Sequence, residues 1–310
     1  MISTRSSRSS APPARNLRRL SNAGFGFALI VPAFIILLVV LLYPLAYSAY
    51  MSFHEFRLSR PQDFSFVGLA NYIETIKSQE FQHAFGNTLT YAGLAVPIEF
   101  MLGLLLAMAL ANIERGRSLL RMLITLPMML APIVMGLTWK FMYNDKLGII
   151  NHLIRQLNLA DRPPLWLSDP KLALYSIIAV DIWATTPLIV LLMLAGLLSI
   201  PKDYYEAAEM DGANALHRFR HITLPMLQPV ILIALLLRGM DAFRVFDLVY
   251  VMTKGGPAMK TDVMSFYAYR TAFTNLSIGH ATAIAWIMTV ALLIGGLLLI
   301  RAMRRPEAST

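Results

Sequence analysis

Seven charged side chains fall inside long apolar stretches of the sequence, where a charge is costly unless it is paired or hydrated. In lipid, such groups pair with one another, face water or line the path of a polar solute. Thiol chemistry is excluded, because the chain has no cysteine. The candidates for a functional site are therefore four acids and three bases: Glu99, Asp181, Asp241, Asp247, Lys140, Arg238 and Arg244.

The composition places these charges in a polytopic membrane protein. Of 310 residues, 57% are hydrophobic and 15% are charged, whereas about a quarter of a soluble domain is charged. The net charge of +9 would suit nucleic acid in a soluble chain. In a chain this apolar, basic residues are typical of cytoplasmic loops beside a bilayer. The expected partner is therefore membrane lipid, and nucleic acid is not expected.

Six apolar segments are long enough to cross a bilayer, which takes about 20 residues in a helix. All should be helical, because lipid offers no partner for an unpaired backbone amide. Their internal prolines predict kinks rather than breaks. The sequence thus predicts an all-α membrane domain over 24–305, a disordered basic tail over 1–23 and a short tail over 306–310. The six spans lie near 25–47, 88–111, 119–141, 172–197, 225–250 and 281–301.

The distribution of Lys and Arg predicts the orientation. With the N-terminus in the cytoplasm, the inner segments carry 14 of these residues and the outer loops carry 10. The inner loops are also the shorter ones, where a positive charge bias is most informative. Both termini are therefore predicted to be cytoplasmic, with the first apolar run retained as a span and not cleaved as a signal peptide.

Two of the charged residues, Asp181 and Arg238, are predicted to lie at the same depth in the membrane. At 1.5 Å per residue, Asp181 lies ~14 Å from the outer start of span four and Arg238 ~20 Å from the inner start of span five. They could face each other, either to bind a solute or to neutralise one another. Glu99 follows Pro97 and is expected only to satisfy a kink. Trp183 could stack on a sugar ring or simply pack.

Span five carries charges of alternating sign every third residue: Arg238, Asp241, Arg244 and Asp247. Side chains three apart are neighbours on a helix. One interpretation is therefore a self-neutralising ladder that approaches the outer end of the span. Lys140, beside Trp139, is expected to extend its charged end to the outer interface.

The stretch between spans four and five, residues 200–225, has the pattern of two short helices joined at a glycine. Pro201 suits a first helical turn, and Asp203 and Glu206 favour its positive end. Gly212 fits the left-handed residue that ends a helix. A second short helix from about Asn214 would lead into span five. The sequence predicts a helical knob on the membrane surface; the alternative is a solvated connector.

The order of residues in this loop resembles a known family. Glu206-Ala207-Ala208, then Gly212 and then Ile-x-Leu-Pro ending at Pro225 are similar to the loop of permease subunits in bacterial binding-protein-dependent ABC importers. Residues 66–72, 166–170 and 253–257 look like the carbohydrate-uptake branch of the maltose/glycerol-phosphate type. The resemblance covers residues 25–305.

The resemblance implies a subunit of the bacterial inner membrane that moves a sugar or sugar-like solute. Two cytoplasmic ATPase subunits, a different but homologous second permease and an extracytoplasmic solute-binding protein would be its partners. The chain has no phosphate-binding loop of its own. It is thus expected not to be an enzyme and to bind no cofactor or metal, with ATP and Mg acting on the ATPases. The implied ATPase-coupling residues are Glu206, Ala207, Ala208, Asp211, Gly212, Leu224 and Pro225.

The resemblance also implies residues along the solute pathway. Counted from the loop, five positions are similar to sugar-lining positions of the maltose-type permease, and Trp183 and Asp241 lie nearby. The charged pair departs from the neutral polar groups of that pattern, so maltose is not the expected solute. Arg238 would bind an anionic sugar, or it would neutralise Asp181 while both bind hydroxyls. The five positions are Asp181, Ala184, Thr185, Leu188 and Arg238.

Two other classes of protein fit the sequence less well. Asp211-Gly212-x-x-Ala215 resembles the opening of the motif of lipid-headgroup transferases, which are membrane-embedded enzymes. Leu216 stands where that motif has Arg, and its further aspartates are missing. A secondary transporter would show inverted repeats, which the sequence lacks. Both classes are disfavoured.

Overall fold

The structure, a computed structural model, describes residues 22–113, 115–160 and 162–303. The predicted tails over 1–23 and 306–310 lie outside these ranges, apart from residues 22 and 23. Helices make up most of the described chain, as predicted. The helices are α1 (Asn22–Leu37), α2 (Tyr43–Ser52), α3 (Ala70–Lys77), α4 (Gln79–Ala111), α5 (Arg117–Thr125), α6 (Pro132–Met142), α7 (Ile149–Gln156), α8 (Ala173–Ser199), α9 (Asp203–Met210), α10 (Ala215–Arg218), α11 (Leu224–Phe243), α12 (Asp247–Met252), α13 (Met264–Phe273) and α14 (Ile278–Met303).

The first apolar run is one continuous helix that forms a unit of its own up to Ser48. A π-helical segment, Leu38–Leu42, joins α1 to α2 just before Pro44. Proline has no amide hydrogen, so the wider turn ahead of it accommodates a missing helical hydrogen bond. None of the described side chains between residues 29 and 48 is buried within the chain. Residues from Ala49 onward form the second unit.

Five helical stretches in the described chain are long and apolar enough to cross a membrane: Leu29–Ser52, Gln79–Ala111, Ala173–Ser199, Ala215–Met252 and Ile278–Met303. They correspond to five of the six predicted spans. The second begins nine residues earlier than predicted, because a polar first turn extends it beyond the apolar run. Ser78 caps that turn by accepting a hydrogen bond from the Phe81 amide at 3.2 Å.

The predicted third span is wrong as a single kinked helix. Residues 119–141 contain α5, a 3₁₀ turn over Pro127–Met129 and α6. Pro127 and Pro132 each stand at the start of a new element, where a proline is tolerated because its amide has no helical partner to lose. These two prolines therefore break the helix instead of bending it. The count of six crossings stays a prediction.

The predicted ladder on span five is also wrong. Helix α11 ends at Phe243, and Asp247 begins the separate helix α12. Only Asp241 and Arg244 pair along the helix, through Nη2 and Oδ1 at 2.9 Å. Arg238 turns away from this row of charges and into the bundle, where it is 3% exposed.

Helices α4 and α8 pack side by side and run in the same direction. Gly103 allows this close approach, because a Cβ there would lie 2.5 Å from Ile189 Cγ2. Small residues serve this purpose in membrane bundles, where backbones must approach closely. Four residues earlier on each helix, Glu99 faces Thr185. The parallel pair fixes two ends of the bundle: the loop end, next to α9, and the far end, where α4 and α8 begin.

The segment from α5 to α6 runs between these two ends. Arg117 hydrogen-bonds Ala111 at the loop end, with Nη2 to O at 2.7 Å. Just beyond α6, the Tyr143 hydroxyl donates to Ser176 in the first turn of α8 at 3.4 Å. The broken segment thus spans the same distance as the long helices around it.

A small hairpin at the far end was not predicted. Strand β1 (His54–Arg57) pairs antiparallel with β2 (Arg60–Phe66), with His54 opposite Phe66. The His54 and Phe64 rings stack with centroids 4.6 Å apart. Aromatic pairs of this kind stabilise short antiparallel strands. The all-α bundle therefore carries one short hairpin next to α3.

Candidate functional site

Three helices meet at a buried cluster of charges. Arg238 on α11 donates from Nε and Nη2 to the two carboxylate oxygens of Glu99 on α4; the Nη2–Oε1 distance is 2.9 Å. The same Nη2 donates to Asp181 Oδ2 on α8. The planar fork of a guanidinium matches a carboxylate in this two-bond arrangement. Arg238 therefore links α4, α8 and α11.

The cluster is shielded from solvent within the chain. Glu99 is 0% exposed and Asp181 is 6% exposed. Thr185 donates its hydroxyl to Glu99 Oε1 at 2.8 Å, which satisfies a further lone pair. Buried charges persist only when they are paired and hydrogen-bonded in this way. With both carboxylates ionised, the three charged groups sum to one negative charge.

The prediction that Asp181 and Arg238 meet is confirmed, whereas the prediction for Glu99 is wrong. Glu99 does not merely satisfy the Pro97 kink; it makes the two-bond contact to Arg238. Sequence reasoning also missed Tyr91, a fully buried side chain of α4 whose hydroxyl lies beside Asp181. Tyr91 and Glu99 are eight residues apart and so share one face of α4. That spacing was the available signal.

The other predicted pathway residues make no hydrogen bond or ion pair to Arg238 within the described ranges. Trp183 packs edge-on against Trp139, with centroids 5.3 Å apart, and remains 41% exposed. Leu188 is half-buried on α8, and Asp241 is exposed on α11. Their part in solute binding stays a prediction. Lys140 is exposed, as expected, and donates to the Val251 carbonyl at 3.0 Å.

The loop between α8 and α11 contains the predicted first helix, α9. Its first turn holds Asp203 and Glu206, which complement the positive end of the helix. Pro201 lies two residues before the helix and not in its first turn. The helix ends at Gly212, whose φ of +77° is the left-handed conformation that a side chain would strain.

The end of α9 has the paired hydrogen bonds of a Schellman motif. The Gly212 amide donates to the Glu209 carbonyl at 3.0 Å, and the Ala213 amide donates to the Ala208 carbonyl at 2.9 Å. Asn214 then caps the next helix by accepting from the His217 amide at 2.8 Å. The elbow predicted at Gly212 is confirmed.

The second helix of the loop is longer than predicted. It runs without interruption from α10, through a π-helical segment over Phe219–Thr223, into α11. Leu224 and Pro225 lie within this continuous helix. Arg218 pairs with Glu209, and the Tyr205 and Thr223 hydroxyls are hydrogen-bonded at 2.9 Å. These contacts tie α9 to the base of the membrane helix α11.

The outer surface of this loop exposes both apolar and acidic groups. Met210 is 89% exposed and Leu216 is 74% exposed. Glu206, Ala207 and Asp211 are exposed as well, and Ala208 is half-buried. Exposed apolar side chains of this size, surrounded by polar ones, are typical of a protein interaction site.

No group of three or more His, Asp or Glu side chains in the described ranges is arranged to hold a metal ion. The two charged regions of interest are therefore the buried cluster of Glu99, Asp181 and Arg238 and the exposed loop around α9. A bundle of membrane-length helices with an exposed helical loop at one end is the architecture of a multi-pass membrane protein.

Comparison with known proteins identifies the family. Residues 99–308 match the family described as "Binding-protein-dependent transport system inner membrane component". The chain belongs to this family and is a multi-pass component of the inner membrane. It is the permease component of an ABC transporter.

Relatives and solved structures agree with this assignment. A probable ABC transporter permease protein, y4oQ of Sinorhizobium fredii, is 44% identical over 85% of this chain and 84% of its own length. The trehalose/maltose transport system permease protein MalF of Thermococcus litoralis is 38% identical over 86% of this chain and 90% of its own. A crystal structure of a bacterial alginate ABC transporter, in complex with a periplasmic protein bound to an alginate pentasaccharide, includes a chain that matches with a TM-score of 0.77. That chain is 25% identical over 91% of this chain and 94% of its own.

Proposed function

We propose that this chain is the translocating subunit of an ATP-driven importer for a sugar or sugar-like solute, with both termini in the cytoplasm. The observation that carries the proposal is the rigid connection from α9 to α11. The Schellman turn at Gly212 and the hydrogen bond between Tyr205 and Thr223 make α9 and the membrane helix one mechanical unit. A displacement of α9 by a partner would therefore move α11.

The partner at this loop is an ATPase subunit. Glu206 and Ala207 present a charge and a small side chain on the exposed surface of α9, and Met210 adds an apolar contact. Ala208, Asp211 and Gly212 set the end of the helix, and Leu224 and Pro225 begin the membrane helix. Two ATPases hydrolyse ATP with Mg, so this chain is not itself an enzyme and binds no cofactor.

The remaining partners are a second, homologous permease and an extracytoplasmic solute-binding protein. The crystal structure of the alginate transporter in complex with a periplasmic protein supports the expectation of a solute-binding protein. The binding protein would deliver the solute at the far end of the bundle. The solute would then pass beside α8 and α11, along the side that carries Thr185, Leu188 and Asp241.

The buried cluster supports a neutral solute. Both carboxylate oxygens of Glu99 engage Arg238, and Asp181 engages it again. With both carboxylates ionised, the cluster has one net negative charge, which disfavours an anionic group beside Arg238. Of the two roles left open by the sequence, Arg238 thus serves as the counter-charge.

The test is solute-stimulated ATPase activity of the assembled complex in lipid nanodiscs. The cognate binding protein would be presented with neutral sugars, polyols, and phosphorylated or sulfonated sugars. We expect stimulation by neutral sugars. Stimulation by anionic sugars alone would make Arg238 an anion ligand, and no stimulation by any loaded binding protein would contradict the importer function itself.

A further inference from the structure

Helix α7, at the far end of the bundle, exposes a row of apolar side chains that the proposed transport function does not use. Ile149, Leu153 and Leu157 are four residues apart and so lie on one face. Two more leucines flank the helix. The exposed fractions are 90% for Leu147, 48% for Ile149, 47% for Leu153, 65% for Leu157 and 69% for Leu159.

The other side of α7 is fixed to the bundle by a buried asparagine. Asn151 is 1% exposed; it accepts a hydrogen bond from Trp166 Nε1 at 2.7 Å and donates to the Pro164 carbonyl at 3.1 Å. The Trp166 carbonyl in turn accepts from Ser176 Oγ at 2.9 Å. Because Ser176 lies in the first turn of α8, α7 is held at the level where that helix begins.

The length of α8 gives the depth of this level in the membrane. Its 27 residues span ~40 Å, which matches the thickness of a bilayer including both headgroup layers. The first turn of α8 therefore lies among the headgroups. Trp166 and Tyr143, whose ring centroids are 5.3 Å apart, are the residue types enriched at that depth.

Both charged side chains within the apolar segment are basic, although Asp145 precedes the segment and Asp161 follows it. Between residues 146 and 160 the sequence has Lys146 and Arg155 and no Asp or Glu. Arg155 donates from Nη2 to the Lys146 carbonyl at 3.1 Å, so the guanidinium is held next to Lys146. Clustered cations beside an exposed apolar face are the pattern of helices that lie in an anionic membrane surface.

We propose that α7 is an interfacial helix that rests in the headgroup layer of the far leaflet. The row Ile149, Leu153 and Leu157 contacts the upper acyl chains, and Lys146 and Arg155 bind the phosphates of anionic lipids. This contact would hold the far end of the bundle at a fixed depth while the loop end moves.

The chief alternative cover for this row is a solute-binding protein. Such a protein must leave after each delivery, and five large apolar side chains within residues 147–159 would then face water. Patches of this kind are unfavourable in water and favour aggregation. Lipid covers the row at all times, and it is the occupant that matches the positive charge.

Because the chain has no cysteine, single labels can be placed on α7. Leu153→Cys puts a bimane label on the apolar row, and His152→Cys, at the adjacent exposed position, is the matched control. The labelled chain would be studied in the complete transporter, with partner cysteines removed, in nanodiscs containing phosphatidylglycerol and lipid with a nitroxide near the headgroup. For an interfacial helix, we expect quenching at position 153 to be at least about threefold stronger than at 152.

Two results would overturn the proposal. Equally weak quenching at both positions would place the row away from lipid. A label at 153 that lipid does not quench, but whose emission shifts when the solute-binding protein is added, would assign the row to that protein.

A separate control tests whether Lys146 and Arg155 bind anionic lipids. In nanodiscs of phosphatidylcholine alone, quenching at 153 should weaken, and Lys146→Gln together with Arg155→Gln should abolish the difference between the two lipids. If the wild-type charges give the same quenching in both lipids, the anionic-lipid part of the proposal is wrong.

Discussion

The buried cluster and the α9 loop are built in opposite ways. In the cluster, every carboxylate is turned inward and paired: Glu99 and Asp181 share Arg238, and all three are almost inaccessible. In the loop, hydrogen bonds and Arg218 fix the backbone, while Glu206 stays exposed. In the buried cluster the charges hold helices together, whereas the α9 loop holds its backbone fixed and leaves the charge of Glu206 accessible.

This difference indicates where each region is sensitive to change. A substitution in the cluster acts first on the fold, because a buried charge that loses its partner remains buried. A substitution on the surface of α9 acts on transport and leaves the fold intact, because the exposed side chain has few partners to lose. The two regions can therefore be separated by measuring folding and uptake on the same variants.

The largest effect is expected for Arg238→Gln. This change leaves Glu99 and Asp181 facing each other in the bundle without a counter-charge, which costs about 3–5 kcal/mol of folding free energy. We expect little folded complex, measured as the monodisperse fraction after purification and as the unfolding temperature. Uptake should be lost with the fold.

The matched control removes all three charges together. Glu99→Gln and Asp181→Asn keep the size of each side chain, and Arg238→Gln leaves a shorter neutral amide, so no unpaired charge stays buried. We expect the triple variant to recover most of the stability that the single change loses. A single variant as stable as the wild type would show that the cluster does not hold the helices.

The next largest effect is expected for the loop, on transport alone. Gly212→Pro cannot adopt the φ of +77° that ends α9, and Glu206→Lys reverses the exposed charge. Both should abolish solute uptake into cells, while membrane insertion and the unfolding temperature change little.

Gly86→Ala is the control for the glycine change. Gly86 lies inside α4 with open space around it and an ordinary helical φ, so alanine should be neutral there or slightly stabilising. Uptake that survives both Gly212→Pro and Glu206→Lys would contradict the coupling role of the loop.

Several features of the buried cluster and of the α9 loop could be predicted from the sequence, because they depend on local chemistry. The start of α9, its end at Gly212 and the meeting of Asp181 with Arg238 follow from residue type and distance along a helix. The five long helices follow from runs of apolar residues. In each case, one residue or one helix decides the outcome.

The errors arose where two separate segments decide the outcome. Glu99 reaches Arg238 because α4 packs against α11, which no spacing within one helix indicates. Pro127 and Pro132 break the helix, although a proline inside a helix can also only kink it. The turn after Phe243 removes Asp247 from the predicted ladder.

A third buried carboxylate, Asp262 at the far end of the bundle, extends the comparison and gives the smallest expected effect. Asp262 lies between α12 and α13 and pairs with Arg270 through Oδ2 and Nη2 at 2.7 Å. Its Oδ1 is buried without a partner in the described ranges. Burial raises the pKa of Asp262 from 3.8 to about 6, although Arg270 acts in the opposite direction.

The sign of the pH dependence follows from this raised pKa. Between about pH 4 and pH 6 the folded protein holds a proton on Asp262 that the unfolded chain releases, so stability falls as the pH rises through this window and is level above it. The total is at most about 3 kcal/mol. Asp262→Asn cannot titrate, and it should flatten the difference in unfolding temperature between pH 4.5 and pH 7. The unfolding temperatures of the wild type and the variant could instead change in parallel across that range. In that case Arg270 satisfies Asp262 as well as Arg238 satisfies Glu99 and Asp181.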